Sequence, residues 1–239
     1  GVFDGGAPHV HGVNGLGGID LPAAVAGPVD ESAADMLLRL SHEHRGSLEV
    51  LAVGPLTNLA IALRRDPSLP ERVRKVTVMG GAALTPGNIT PVAEANIGND
   101  PEAAQEVLGA AWPIMLVPLD VTMANVLEEE QRQQLCAAQS PVVAAVGRML
   151  DGYFDFYVEE YGRRCSALHD PLAAAIAVGG DEPARAAPVA ARSHATQRGH
   201  LDAAGLLLFH FLFRLGQREQ RQHRLSASQV RWRASLLLV

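Results

Sequence analysis

The chain has 239 residues, 48% of them hydrophobic and 19% charged, a globular balance that excludes a disordered protein and fits one α/β domain or two small ones. Its net charge of −6 at pH 7 argues against a general nucleic-acid binder. No apolar run reaches the roughly 18 residues needed to cross a membrane; the longest, 206–215, is interrupted by His210 and Arg214.

Aromatic residues are only 5%, so core volume must come from Ala, Val, Leu and Ile. Cys136 and Cys165 have no metal-binding spacing and read as reduced, buried thiols. No leader with a basic start and an apolar middle is visible, and a cytoplasmic location is expected. The chain opens at Gly1 as if in mid-protein.

Residues 1–28 are rich in Gly and Pro and read as loop. Apolar spacing predicts a helix over 31–42, a buried strand over 48–53, a helix over 56–65 and a strand over 73–79 that ends at Gly80-Gly81. Residues 82–99 read as irregular loop. Asp100-Pro101-Glu102 is a helix start: Asp accepts backbone N–H groups, Pro suits the first helical position, and Glu favours the positive end. A strand over 113–119 follows, then helices over 127–138, 141–162 and 171–178. Strands alternating with helices predict an α/β fold with a mostly parallel sheet covered by helices on both faces. Ligands in such sheets sit outside the carboxyl ends of the strands. The expected division is one domain over 1–204 and a divergent Arg-rich tail over 205–239, which carries six Arg against one acid, Glu219. That tail reads as a basic amphipathic helix, as a stretch foreign to the fold, or as a nucleic-acid or membrane contact.

Polar clusters follow these strands: His9 with His11, Thr57 with Asn58, Asn88 with Glu94 and Asn96, and His169 with Asp170. Singly, each reads as loop, turn or cap. Together, carboxylates, carboxamides and imidazoles at one sheet edge suit a polyhydroxylated ligand with a hard cation. Tyr153, Tyr157 and Tyr161 share a helix face at i, i+4, i+8, either as core or as a wall for a flat base, with Tyr157 and Tyr161 favoured over Tyr153.

The order of short motifs resembles the inosine–uridine-preferring nucleoside hydrolase family. His9-Val10-His11-Gly12 comes first, then Val53-Gly54-Pro55-Leu56-Thr57-Asn58, Met79-Gly80-Gly81, Gly87-Asn88-Ile89-Thr90-Pro91, Glu94-Ala95-Asn96, Asp100-Pro101-Glu102, Leu119-Asp120-Val121-Thr122 and His169-Asp170-Pro171. The match runs from about residue 8 to 178, with a fainter echo at Thr196-Gln197-Arg198-Gly199. The resemblance implies hydrolysis of the N-glycosidic bond of a small-molecule ribonucleoside, Ca²⁺ as cofactor, and a homodimer or homotetramer, with no nucleic-acid or membrane partner. It implies Asp170 and the Val53 main-chain carbonyl as calcium ligands, with Asp170 also touching ribose. Asn96 would hold the vicinal hydroxyls, Asn88 and Glu94 the 5′-hydroxyl, and Met79 would pack on the sugar. His169 is implied as a proton donor to the leaving base, titrating near neutrality, with His11 as a second histidine on the base side.

Three departures stand against the pattern. The family's Asp-rich opening motif is absent, so a missing first strand, an open sheet edge, weak Ca²⁺ binding and slow or no turnover are expected. Ala95 replaces the family's usual Phe, and the tail after Gly205 does not continue the pattern. The alternative to a hydrolase is a non-catalytic ribose- or nucleoside-binding relative.

Overall fold

The computed structural model of the chain describes residues 7–22, 27–179 and, by backbone alone, 236–238. Helices and strands follow one another as α1 (Pro8–His11), α2 (Ala33–Glu43), β1 (Leu48–Ala52), α3 (Thr57–Arg65), β2 (Val73–Met79), α4 (Ala95–Gly98), α5 (Pro101–Gly109), β3 (Ile114–Val117) and α6 (Leu119–Thr122). Next come β4 (Val126–Glu128), α7 (Glu129–Cys136), α8 (Pro141–Met149), α9 (Asp151–Phe156), α10 (Val158–Tyr161), β5 (Cys165–Ala167), α11 (His169–Val178) and β6 (Leu236–Leu238). The main sheet runs β3-β2-β1-β6, every pair parallel, and β4 pairs antiparallel with β5 in a separate ribbon.

Alternation along the strands divides the core, because successive side chains in a strand point to opposite faces. Leu48, Val50 and Ala52 of β1, with Val76 and Val78 of β2, meet Ala34 and Leu37 of α2, Leu59 and Ala62 of α3, and Ala103 and Val107 of α5. On the other face Leu51, Met79 and Val117 meet Leu119 of α6 and Leu172, Ala173 and Ala177 of α11. The expected sheet with helices on both faces is therefore present.

Several expectations change. The place beside β1, expected to be open, is filled by β6, with Glu49 opposite Leu236 and Leu51 opposite Leu238. The rest of the tail, the 204/205 boundary and the echo at 196–199 lie outside the described residues. The predicted 141–162 helix is broken into α8, α9 and α10, and the predicted 127–138 helix opens with strand β4. Residues 95–98 form α4 within the expected loop, 8–11 form a helical turn, and β5 is a strand that the pattern did not predict. Cys165 is buried, but Cys136 is only half-buried; both are free thiols.

β3 is the terminal strand of the described sheet, and its Met115 and Leu116 are 43% and 40% exposed between Pro113 and Pro118. At the opposite, amino end of the sheet, Arg72 is 2% exposed. Its guanidinium donates to Ser41 Oγ at 2.9 Å, Ser68 Oγ at 2.7 Å and Asp66 Oδ2 at 2.6 Å, fastening α2 and the end of α3 to the start of β2. The Ser68 hydroxyl and then the Arg72 guanidinium hold the Asp66 carboxyl down at about 2, from an ordinary 3.8. A depressed carboxyl contributes stability that is complete above the unfolded value and is lost as pH falls toward the folded one. The contribution of Asp66 should thus disappear between about pH 4 and pH 2, and Asp66→Asn should flatten that limb of an acid-unfolding curve.

Candidate active site

The carboxyl ends of β1 and β2 bring Val53 and Met79, and the loop that carries Asn88, Glu94 and Asn96, to one edge. The β1–β2 register sets Ala52 opposite Val78, so Val53 follows beside Met79, and Met79 in turn faces Val117 of β3. The Gly80-Gly81 turn leaves this edge, Gly81 at φ 86°, a left-handed backbone that suits a residue without Cβ.

Glu94 holds the loop beyond the turn in place. It is 2% exposed. Its Oε2 accepts the N–H of Gly81 at 2.9 Å and of Ile97 at 3.1 Å, and its Oε1 accepts the N–H of Asn96 at 2.9 Å. A buried carboxylate is thus neutralised by three backbone dipoles and caps α4 at the same time. Asn88 Oδ1 accepts the Ala95 N–H at 2.9 Å, and Asn96 Nδ2 donates to the Met79 carbonyl at 3.0 Å. From across the sheet edge, Asp120 accepts the N–H of Ala83 at 2.8 Å and of Leu84 at 2.6 Å. Glu94→Gln should therefore destabilise the fold by about 2 kcal/mol, since the amide puts N–H against backbone N–H and charge-assisted bonds are lost. Urea melts compared with those of Glu94→Asp check this.

His169 and Asp170 open α11. The Asp-Pro pair at 170–171 looks like the one at 100–101, yet the two carboxylates are used differently. Asp100 caps α5, accepting the Ala103 N–H at 3.1 Å, and takes the Thr57 hydroxyl at 2.5 Å. In α11 the cap is Leu168, and Asp170 lies inside the first turn. Its carboxylate is therefore exposed in the cleft rather than tied to the backbone. Partial loss of its water to neighbouring protein, and then the Glu94 charge, push it up to about 6.

The His169 ring is held at both nitrogens: Nδ1 lies 2.7 Å from Thr122 Oγ1, and Nε2 lies 2.7 Å from Tyr157 Oη. Burial pushes its imidazole down to about 4. The expectation of an imidazole titrating near neutrality does not hold here: the ring is neutral at pH 7 and faces two hydroxyls rather than an acid. Burial also raises the Tyr157 phenol well above its ordinary range, the neighbouring Tyr161 and Tyr153 adding to the shift ahead of Glu160 and Asp170.

The tyrosines separate. Tyr153 bonds His11 Nδ1, joining α9 to the loop that carries α1, and its phenol is raised by burial and then by the Asp170 charge. Gly17 fixes that loop: its φ is 62°, and an added Cβ would lie 2.6 Å from the Met149 carbonyl oxygen. Tyr161 instead donates to the Met123 carbonyl at 2.8 Å, while its ring lies 5.7 Å from that of Tyr157. Tyr153, ranked behind Tyr161 on sequence, is thus the tyrosine that meets the loop histidine. Thr122, which the sequence marks only as part of the Leu119-Asp120-Val121-Thr122 motif and without a role, is the partner of His169 Nδ1.

Among the described residues, no three His, Cys, Asp or Glu side chains gather to hold a metal. The Asp170 carboxylate and the Val53 carbonyl offer about three oxygens, short of the six to eight that Ca²⁺ takes. The described residues do not by themselves fit the ion. Among the described residues, no helix is long and apolar enough to cross a membrane.

The family profile described as inosine-uridine preferring nucleoside hydrolase matches residues 4–223. The rice protein named probable uridine nucleosidase 1 is 37% identical over 166 residues, which cover 70% of this chain and 51% of that protein. The pyrimidine-specific ribonucleoside hydrolase RihA of Salmonella newport is 34% identical over 166 residues, covering 69% and 53%. Of solved structures, the plant nucleoside hydrolase PpNRh1 superposes with a TM-score of 0.69 at 32% identity, over 73% of this chain and 55% of that one. The purine-preferring ribonucleoside hydrolase from Gardnerella vaginalis gives 0.68 at 32% identity, over 71% and 54%. The chain spans about half the length of the curated relatives it matches. On sequence and on fold alike, the chain belongs to the inosine–uridine preferring nucleoside hydrolase family.

Proposed function

We propose that the cleft binds a ribonucleoside and hydrolyses its N-glycosidic bond to ribose and free base. The observation that carries this reading is the hydroxyl–imidazole–hydroxyl chain through Thr122, His169 and Tyr157, set beside the exposed Asp170 carboxylate at the sheet's carboxyl edge. Cleavage of the C1′–N bond builds positive charge on the sugar and negative charge on the base. Water then adds its oxygen to C1′, and a proton goes to the base nitrogen. Asp170 favours the cationic sugar, with the buried Glu94 charge behind it. Asn96 and Asn88 present amides to ribose hydroxyls, and Glu94 keeps lone pairs for a further one. Met79 packs under the sugar, the Tyr157 hydroxyl meets the departing base, and the His11–Tyr153 pair closes the base side.

Calcium is the ion that membership suggests, and Asp170 and the Val53 carbonyl are the oxygens this chain would bring to it. When bound, such an ion supplies an acidified water. The shortfall of oxygens favours slow chemistry, and it supports a second reading, a nucleoside-binding chain without turnover. A homo-oligomer and a cytoplasmic setting belong to the same proposal.

The test is ribose release from uridine, cytidine and inosine, with and without added Ca²⁺, alongside nucleoside binding by calorimetry. Release above the protein-free rate, lost in Asp170→Ala, is the expected result. Binding without release selects the second reading, and neither binding nor release overturns both.

A further inference from the structure

The proposed chemistry needs a hydrogen-bond donor at the leaving base, but both nitrogens of His169 are already engaged, so the direction of its hydrogen bonds decides what reaches the cleft. A neutral imidazole has one N–H and one bare nitrogen, and hydroxyls accept either arrangement. Thr122 breaks the tie.

Thr122 is 0% exposed and ends α6. Its N–H goes to the Pro118 carbonyl at 3.1 Å, and its own carbonyl accepts the Asn125 N–H at 3.2 Å. The Asn125 carbonyl takes the Leu168 N–H at 2.9 Å, and the β4–β5 ladder continues this with Val126 opposite Ala167. The backbone therefore fixes residues 122 and 169 against each other. Among the described residues, the hydrogen-bond partner of the Thr122 hydroxyl is the His169 ring. Were Nδ1 to carry the proton, the Thr122 O–H would be buried with no acceptor, at the full desolvation cost of that group. With Nδ1 bare, the Thr122 O–H donates to it, Nε2–H donates to Tyr157 Oη, and the phenolic hydrogen is released toward the cleft. The two aligned bonds, Thr122 to His169 and His169 to Tyr157, polarise each other.

We propose that Thr122 is a positioning residue that locks His169 in its Nε2–H tautomer and so presents the Tyr157 hydroxyl to the leaving base as a donor. Its role in catalysis rests on the hydrolase reading above; the tautomer itself does not.

Nitrogen-15 NMR of labelled, ligand-free protein reads it directly, with His169→Gln identifying the resonance. The expected spectrum has a bare Nδ1 and a protonated Nε2. A protonated Nδ1 in the unmodified chain overturns the proposal. Thr122→Val, of similar shape but without the hydroxyl, should mix the two tautomers, and Thr122→Ser should restore the single one; an unchanged tautomer in Thr122→Val also overturns it. If the Val variant does not fold, the unmodified chain and the Ser variant decide. In turnover, Thr122→Val should lower kcat about tenfold with KM nearly constant, and Thr122→Ser should stay within about twofold; equal kcat in all three forms overturns the positioning role. A correct tautomer in a chain that neither binds nor cleaves nucleosides sinks the hydrolase reading and leaves the tautomer assignment standing.

Discussion

Phe154→Ala should destabilise the protein by about 3–5 kcal/mol, the range for truncating a buried aromatic ring. Phe154 is 0% exposed, and the Arg132 guanidinium stands 5.6 Å over its ring. Arg132 in turn is paired with Glu129, at 2.7 Å, and with Asp151, at 3.2 Å, so the ring lies under charges that tie α7 to α9. Removing it leaves a void and uncovers a cation. The effect should spread, because α9 also carries Tyr153 and ends at Tyr157. Urea midpoints of Phe154→Ala and Phe154→Leu give the measurement: Leu should recover more than half of the loss. A change under about 1 kcal/mol in Phe154→Ala would show that the site collapses without a cavity.

Tyr157→Phe should lower kcat on uridine by about 100-fold, the low end of what one lost donor to developing negative charge brings. KM should change little, because the donor acts on charge that develops only as the bond breaks. A riboside whose leaving group departs as a stable anion, such as p-nitrophenolate, needs no donor and should be spared. Equal losses on both substrates would place Tyr157 in structure rather than in leaving-group departure. Tyr161→Phe provides the internal contrast: its hydroxyl serves the Met123 carbonyl, so both substrates should fall together, and by less.

Much of this architecture was legible from the chain alone. The apolar runs of β1 and β2 are strong because both faces of these strands are covered, whereas β3 is apolar although Met115 and Leu116 are exposed. Asp100-Pro101-Glu102 marked a helix start because all three preferences agree there. The same reasoning applied to Asp170-Pro171 finds a helix start, but α11 begins two residues earlier than a capping Asp170 would require. Nothing local distinguishes the two dipeptides; what frees Asp170 is the β5 connection, which places Leu168 at the cap. The 141–162 stretch kept a helical pattern throughout, yet Leu150 and Tyr157 stand at junctions between short helices. That break sends Tyr153 and Tyr161 to different partners, so shared spacing did not mean a shared task. β4 and β5 are three residues each, too short for a period to register. The role of Thr122 depends on a contact 47 positions away along the chain.

The β3 border has a consequence for self-association. Val76 N–H bonds the Pro113 carbonyl and Gly80 N–H bonds the Val117 carbonyl, so odd-numbered backbone groups of this strand turn inward and even-numbered ones outward. Of the outward positions 114, 116 and 118, the last is a proline and donates nothing. Among the described residues nothing pairs with this flank, and a foreign strand laid against it would find two amide donors, at Ile114 and Leu116, beside a modest greasy strip. That is enough for fleeting stickiness in concentrated solution, and too short a zipper to seed a growing fibre.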